Sequence, residues 1–424
     1  MITLRPYQSE CIRAVLERIR AGDRRALLHL ATGTGKTLIA AKLVERLRPR
    51  RVLFLVDRIQ LAVQAHETFE SVMPGRSYIL RPGMPRRDRQ VTIALLQTMI
   101  SRLGEFDERE FDVVFVDECH RSVFGRWRPC VERFDAIRIG LTATPSGYSK
   151  ELFGPATYRY TLRRGIEEGY LSPYRIYRAM TLITKGGVRV DGTNYGPQEL
   201  ERIITVPDRN RKMVEEIERI AIAGKVLVYA ITKKHAAQIA RFFNALRPSL
   251  GGRYAEAITT DSEDPQDAIR RFKREEYPRI AVSVGMLDTG FDCPGVVNIV
   301  FCRPTGSEIL YKQIRGRGTR LCAGKRSFLM LDFVGNSVRF NEGYVPPKEL
   351  PLDPRMGGSH RRGGGTFVPT VVATDSWIWR EWFEVEPGRE AVDLGDLATE
   401  DDGISRGLMA VHSTYGSMGG AGSG

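Results

Sequence analysis

Behind the apolar run LLHLAT (27–32), the chain reads ATGTGKT, Ala31 to Thr37, and continues as LIAAKLVERL with helical spacing. A strand, a turn of small residues (Thr32, Gly33, Thr34, Gly35) and a helix form the context of a phosphate-binding loop. Small residues let consecutive backbone N–H groups and the helix N-terminus face one anion. In that role Lys36 contacts β- and γ-phosphates and the Thr37 hydroxyl holds Mg²⁺. Leu30 stands where the strict G-x-x-x-x-G-K-[ST] pattern has its first glycine, and taken alone such a turn also serves as an ordinary strand-to-helix loop. The deciding partner is VVFVDECH, which puts Asp117, Glu118, Cys119 and His120 at the C-terminal end of an apolar run. Ligands collect at that edge of an open α/β sheet. Two adjacent carboxylates there can divide the work, Asp117 holding Mg²⁺ and Glu118 orienting and deprotonating an attacking water. An isolated acidic pair at a strand end is more often a helix cap. Downstream of a phosphate loop and upstream of Thr142 to Thr144 (TAT), the hydrolytic reading is the better one. Cys119 reads as inert packing.

These groups need strands to carry them. Near-continuous apolar, β-branched runs occur at 27–32, 51–57, 91–98, 111–118 and 137–144, separated by segments of helical period. Runs this short and this apolar predict strands buried on both faces, as parallel sheets require. A second series follows at 174–180, 225–230, 254–259, 279–284, 296–301 and 327–333. Two successive strand-and-helix series predict two doubly wound α/β lobes, residues 1–169 and 170–336, with a C-terminal extension over 337–424.

Of the 424 residues, 42% are hydrophobic and 27% charged, which excludes a disordered chain. Sixty-four Lys and Arg against 51 Asp and Glu give a net charge of +13. From Leu350 onward there are 6 basic and 11 acidic residues (net −5), leaving 58 and 40 (net +18) on residues 1–349. A polyanion is therefore expected on the first 349 residues. Six cysteines without a C-x-x-C pair argue against a zinc site and for a reducing cytosol. No secretory signal and no apolar run of about 18 residues is found, so a soluble, cytoplasmic protein is expected.

ATGTGKT, DECH (117–120), TAT (142–144) and QIRGRGTR (313–320) occur in the order and spacing of a superfamily 2 helicase motor of the DEAD/DEAH-like group. The stretches 117–145, 285–304 and 311–322 resemble the motor portion of type I restriction enzyme R subunits and their stand-alone relatives, and the resemblance covers about residues 2–335. It implies RecA-like lobes with ATP and Mg²⁺ between them, DNA (single-stranded, duplex or branched) as partner, and a bacterial or phage-encoded protein. LRPYQ resembles the adenine-reading motif, with Gln8 on the adenine edge and Arg5 nearby. A helix start with exposed polar residues fits LRPYQ equally well. In AVSVGMLDTGFD (281–292) the resemblance places Gly290 and Asp292 at the cleft. In QIRGRGTR it sets Gln313, Arg317 and Arg320 against the nucleotide, the two arginines as fingers sharing one helix face, while Arg315 reads as a solvated or nucleic-acid-facing residue. Asp57, Arg58, Gln64, Gln97, Thr98, Thr142 and Thr144 resemble the family's nucleic-acid contacts. RPGMPRRDRQ (81–90) is a further basic loop that either touches a backbone or does nothing.

The leading expectation is an ATP-dependent DNA helicase or translocase, with an RNA helicase or a nucleic-acid-binding remodelling scaffold as alternatives. The scaffold is disfavoured because loop lysine, acidic pair and arginines are all present. A restriction-type nuclease centre needs Glu-x-Lys, which does not occur in these residues. In the extension, prolines 346, 347, 351 and 354 and GGSHRRGGG (357–365) predict irregular structure. WIWREWF (377–383) is expected to pack back onto the second lobe. The acidic stretch Glu390 to Asp402 is a candidate for a protein partner or for masking the basic face.

Overall fold

A computed structural model describes residues 2–119, 125–181, 207–288 and 290–340, and 378–384 by backbone alone. His120, the proline- and glycine-rich segment and the acidic stretch lie outside the described residues.

The first lobe is a seven-stranded sheet of order β3-β4-β2-β5-β6-β1-β7, every neighbouring pair parallel. Its strands are β1 (Arg25–Leu30), β2 (Val52–Val56), β3 (Ser77–Leu80), β4 (Val91–Leu95), β5 (Val113–Asp117), β6 (Ile137–Thr142) and β7 (Ala156–Tyr160). The apolar runs become strands because both faces are covered. Val52, Phe54 and Val56 of β2 enter one core while Leu53 and Leu55 enter the other. That is the two-residue alternation of a strand sandwiched between helical layers.

The second lobe repeats the arrangement with β8 (Tyr174–Thr181), β9 (Lys225–Tyr229), β10 (Ala255–Ile258), β11 (Ile280–Ser283), β12 (Val296–Phe301), β13 (Phe328–Asp332) and β14 (Ile378–Glu384). Their order is β10-β11-β9-β12-β13-β8-β14. Val226 and Val228 of β9 face one core and Leu227 and Tyr229 the other. β14, drawn from WIWREWF and its next residue, adds antiparallel to β8, with Trp382 opposite Tyr177. Three strands were not anticipated: β3, β7 and β14. All three are sheet edges. β3 is only four residues long and β7 (ATYRY) is mostly part-exposed, so neither carries the long continuous apolar run that marks an interior strand.

The lobes meet where the chain passes from Tyr160 through the helix Leu162–Glu167 to β8. Tyr7 stacks on Tyr160 at 4.0 Å and meets the edge of Tyr170 at 5.3 Å. Among the described residues no helix is long and apolar enough to cross a membrane.

Candidate functional site

β1 hands directly to the turn Ala31–Gly35, and the helix Lys36–Leu47 begins immediately after it. Gly33 (φ 88°) and Gly35 (φ 78°) adopt left-handed backbone that a side chain would strain. The helix has Gly35 as its N-cap, with no side chain capping its first amides and no acidic residue in its first turn. Open N–H groups at a helix start suit an anion. The loop is braced from inside: the buried Thr34 hydroxyl donates to the Ala31 carbonyl at 2.7 Å. The Thr34 carbonyl accepts from the Tyr7 hydroxyl at 2.9 Å and from Gln8 Nε2 at 3.0 Å.

That last contact gives Gln8 a structural role beside the one expected of it. Its amide nitrogen holds the loop and its Oε1 accepts the Arg5 backbone N–H at 3.0 Å, so both ends are engaged by protein and the side chain is buried. Gln8 thus also ties the first helix to the phosphate loop. Arg5 lies over the Tyr170 ring at 5.3 Å and donates to Tyr7 and to the Tyr170 carbonyl, next to the lobe junction.

Asp117 ends β5 beside β6, and Glu118 follows with φ 48°, a conformation costly for a non-glycine residue. The Glu118 N–H donates to Asp117 Oδ1 at 3.0 Å, and Glu118 Oε1 sits 3.3 Å from Lys36 Nζ. The loop lysine and the acidic pair are therefore in direct contact. Burial, then the neighbouring Glu118 charge, pushes the Asp117 carboxyl up to about 7, while Lys36 opposes the shift. A buried carboxylate pair facing one ammonium is a donor set that fits a divalent cation, with the half-buried Thr37 hydroxyl at the adjoining helix start. Cys119 is fully buried and its thiol is held protonated by burial and the two carboxylates, which makes it packing.

The raised Asp117 value has a consequence for stability without metal. The protonated form is favoured in the folded protein, so this contribution is fully present below about pH 4 and is lost as pH rises through about 7. In EDTA, Asp117→Asn is expected to melt above wild type at pH 8, with the gap closing by pH 5. A gap that does not depend on pH would remove the burial argument.

The second lobe brings its own residues to the same seam. The helix Glu308–Gly318 lies so close to the phosphate loop that a Cβ on Gly316 would meet the Thr32 side chain at 2.5 Å. The Thr319 hydroxyl is 3.4 Å from the Thr32 carbonyl, and a Cβ on Gly33 would lie 3.6 Å from the Arg320 side chain. Arg317 is buried and donates to the carbonyls of Phe291 at 2.6 Å and Asp288 at 3.2 Å. Burial, then the adjacent Arg320, pushes its guanidinium down to about 10, with Glu118 of the first lobe pulling the other way. Arg320 lies beyond the helix end, so the two arginines do not share a helix face. They converge instead on the Phe291 carbonyl, which Arg320 reaches at 3.2 Å while its Nε pairs with Asp292 at 2.8 Å. Gln313 is buried in the same helix. Arg315 is buried over the Tyr174 ring, 5.7 Å from its centroid, and not on a solvated face.

Two of the expected nucleic-acid contacts reach across the lobes. Gln64 Nε2 donates to the Gly290 carbonyl at 2.5 Å, and Arg58 donates to the Gly285 carbonyl at 3.4 Å, with Asp57 3.9 Å from Arg58. Gly290 (φ 73°) packs on Leu61 and Gln60. Because Gly290 precedes Phe291, the helix Ile59–Val72 is tied to the carbonyl that holds both arginines. Of the others, Gln97 is exposed on the helix Leu96–Ser101, Thr98 is buried there, and Thr142 is buried at the end of β6 with its hydroxyl accepting the Thr144 N–H at 3.0 Å. That Arg58 and Gln64 cross between the lobes, and that Gln8 holds the phosphate loop, left no trace in the sequence.

Residues 1–147 match the family described as "Type III restriction enzyme, res subunit", and residues 208–322 match "Helicase conserved C-terminal domain". The EcoKI endonuclease subunit of Escherichia coli K12, a type I restriction enzyme, is 32% identical over 403 residues, covering 78% of this chain and 34% of its own. The DNA 3'-5' translocase XPB2 of Sulfurisphaera tokodaii is 22% identical over 361 residues, covering 74% of this chain and 78% of its own. A Vibrio vulnificus fragment assigned to the HsdR subunit of a type I restriction enzyme superposes with a TM-score of 0.66 at 29% identity, over 80% of this chain and 65% of that one. The chain thus spans about a third of the length of the EcoKI subunit. With a phosphate loop and acidic pair in one parallel-sheet lobe, paired arginines in the other and these relatives, the chain belongs to the superfamily 2 helicases and translocases, alongside the motor portion of type I restriction subunits.

Proposed function

We propose that the chain is a DNA-stimulated ATPase that converts closure of its two lobes into movement along DNA or separation of its strands, with residues 1–169 and 170–336 as the working halves. The observation that carries this reading is that the loop leading to Lys36, which pairs with Glu118, and the helix bearing Arg317 touch at Thr32 and Gly316. Open amides of the Lys36–Leu47 helix and Lys36 bind the β- and γ-phosphates. A magnesium ion held by Thr37 and Asp117 would supply neutralising charge to the phosphate oxygens. Glu118, released from Lys36 when the lysine turns to phosphate, orients the attacking water and accepts its proton. Arg317 and Arg320 stabilise the charge spreading over the γ-phosphoryl group. Loss of that group loosens the seam, and the helix Ile59–Val72 moves with it through Gln64 and Gly290.

DNA is favoured by the name of the XPB2 translocase and by the restriction-type relatives. Phosphate contacts dominate the affinity of such motors, in keeping with the basic balance of residues 1–349. The test is ATP hydrolysis with no nucleic acid and with single-stranded, duplex, forked and four-way DNA and RNA. Stimulation by at least one DNA, above that by RNA, is expected. A rate indifferent to every nucleic acid would overturn the proposal.

A further inference from the structure

All strands of the first lobe are parallel, so Gly35, Lys36 and Asp117 share one edge of the sheet. The opposite edge, where β2, β3 and β4 begin, holds an open groove of about 1180 Å³. The strands separate the two edges by about 17 Å, too far for one anion to engage both. Val44, Pro49, Val72, Met73 and Pro74 are the apolar residues that line it. Its rim carries Arg48, Arg50, Arg51, Arg76 and Arg89 against only Glu45 and Asp88.

The arginines are unequally engaged. Arg51 pairs with Asp88 at 2.8 Å and Arg76 donates to Gln90 at 3.3 Å. The guanidinium groups of Arg48, Arg50 and Arg89 make no hydrogen bond or ion pair among the described residues. Compensation of a helix dipole accounts for Arg48, next to the last residue of Lys36–Leu47, but Arg50 and Arg89 lie on no helix. The rim is also held in place. Asp112 accepts the backbone N–H groups of Arg50 and Arg51 at 2.6 and 2.9 Å, and Gln90 donates to the Pro49 carbonyl at 2.6 Å. Arg102 pins the basic loop beyond it through the carbonyls of Arg81 and Met84.

We infer that this groove is a second docking surface for a nucleic-acid phosphodiester backbone, on the edge of the lobe opposite the nucleotide. Five arginines spread along one groove call for a polymeric anion, and its basic residues are all arginine, whose planar fork matches phosphate oxygens. The apolar residues between the arginines suit the sugar faces between phosphates. The inference goes beyond the motor reading, since no catalytic or seam residue lines the groove.

The test compares wild type with Arg48→Glu/Arg50→Glu/Arg89→Glu, and with the lysine triple variant, in binding a labelled duplex of about 40 bp between about 50 and 200 mM salt. Three lost phosphate contacts should flatten the plot of log affinity against log salt by about 2 to 3, with the lysine variant close to wild type. Hydrolysis without nucleic acid should be unchanged in both, and Arg50→Glu/Arg89→Glu, which spares the helix end at Arg48, should keep the wild-type melting temperature and still flatten the slope by about 2. An unaltered slope overturns the inference even if DNA stimulates hydrolysis. A flattened slope upholds it even if DNA does not, so the two readings fail separately. Loss of binding to polyglutamate with duplex binding intact would assign the groove to an acidic polypeptide and also overturn it.

Discussion

Lys36→Ala and Glu118→Gln are each expected to reduce ATP turnover by at least about 10³-fold, through different steps. The lysine supplies charge to bound phosphates, so its loss weakens nucleotide affinity as well as kcat. The glutamate acts on the water, so its amide variant should keep nucleotide affinity and lose kcat alone. The ion pair at 3.3 Å adds a second distinction. Removing Lys36 leaves Glu118 and Asp117 in a largely buried site without their cation, and the nucleotide-free protein should melt lower. Glu118→Gln removes a carboxylate that helps raise Asp117, and should leave melting unchanged or raise it. Nucleotide titration, single-turnover hydrolysis and thermal melts of the two variants check all of this. Normal turnover in either variant would end the assigned roles.

The second large effect is expected at Arg317. Its guanidinium is buried, bonded to two backbone carbonyls, and pushed down to about 10 by burial and by Arg320. A cation hydrogen-bonded to two carbonyl dipoles, in a seam between lobes, gains most from an arriving anion. Arg320 already has Asp292 at 2.8 Å. Arg317→Ala should therefore lower kcat by about 10³-fold or more, in the range of an arginine finger. Arg320→Ala should cost less, about 10 to 100-fold, as for a single hydrogen-bond donor. Nucleotide affinity should change little in both, because the charge they stabilise develops during hydrolysis. The opposite ranking would show that Arg320 faces the phosphate and Arg317 braces the loop at Phe291.

The contrast between these arginines shows how far the chain could be read without its structure. Both belong to QIRGRGTR, and their spacing predicts a common helix face. The helix stops at Gly318, so they converge through the Phe291 carbonyl instead. Helix ends depend on packing as much as on local residue type, and here Thr319 is buried against the phosphate loop. Arg315 was misread for the same reason, since the Tyr174 ring that covers it comes from a distant strand.

By itself the amino-acid sequence determined the interior strands, the phosphate turn and the acidic pair. Continuous apolar runs, a turn of small residues before Lys-Thr and adjacent carboxylates are properties of neighbouring residues, and they survive being written in a line. The tertiary structure alone decided that Gln8 braces Thr34, that Gln64 and Arg58 cross to Gly290 and Gly285, and that Arg317 is held by Asp288 and Phe291. Each of these is a side chain donating to a backbone carbonyl. Every residue carries that acceptor, so no residue type marks the partner, and only folding brings it within reach.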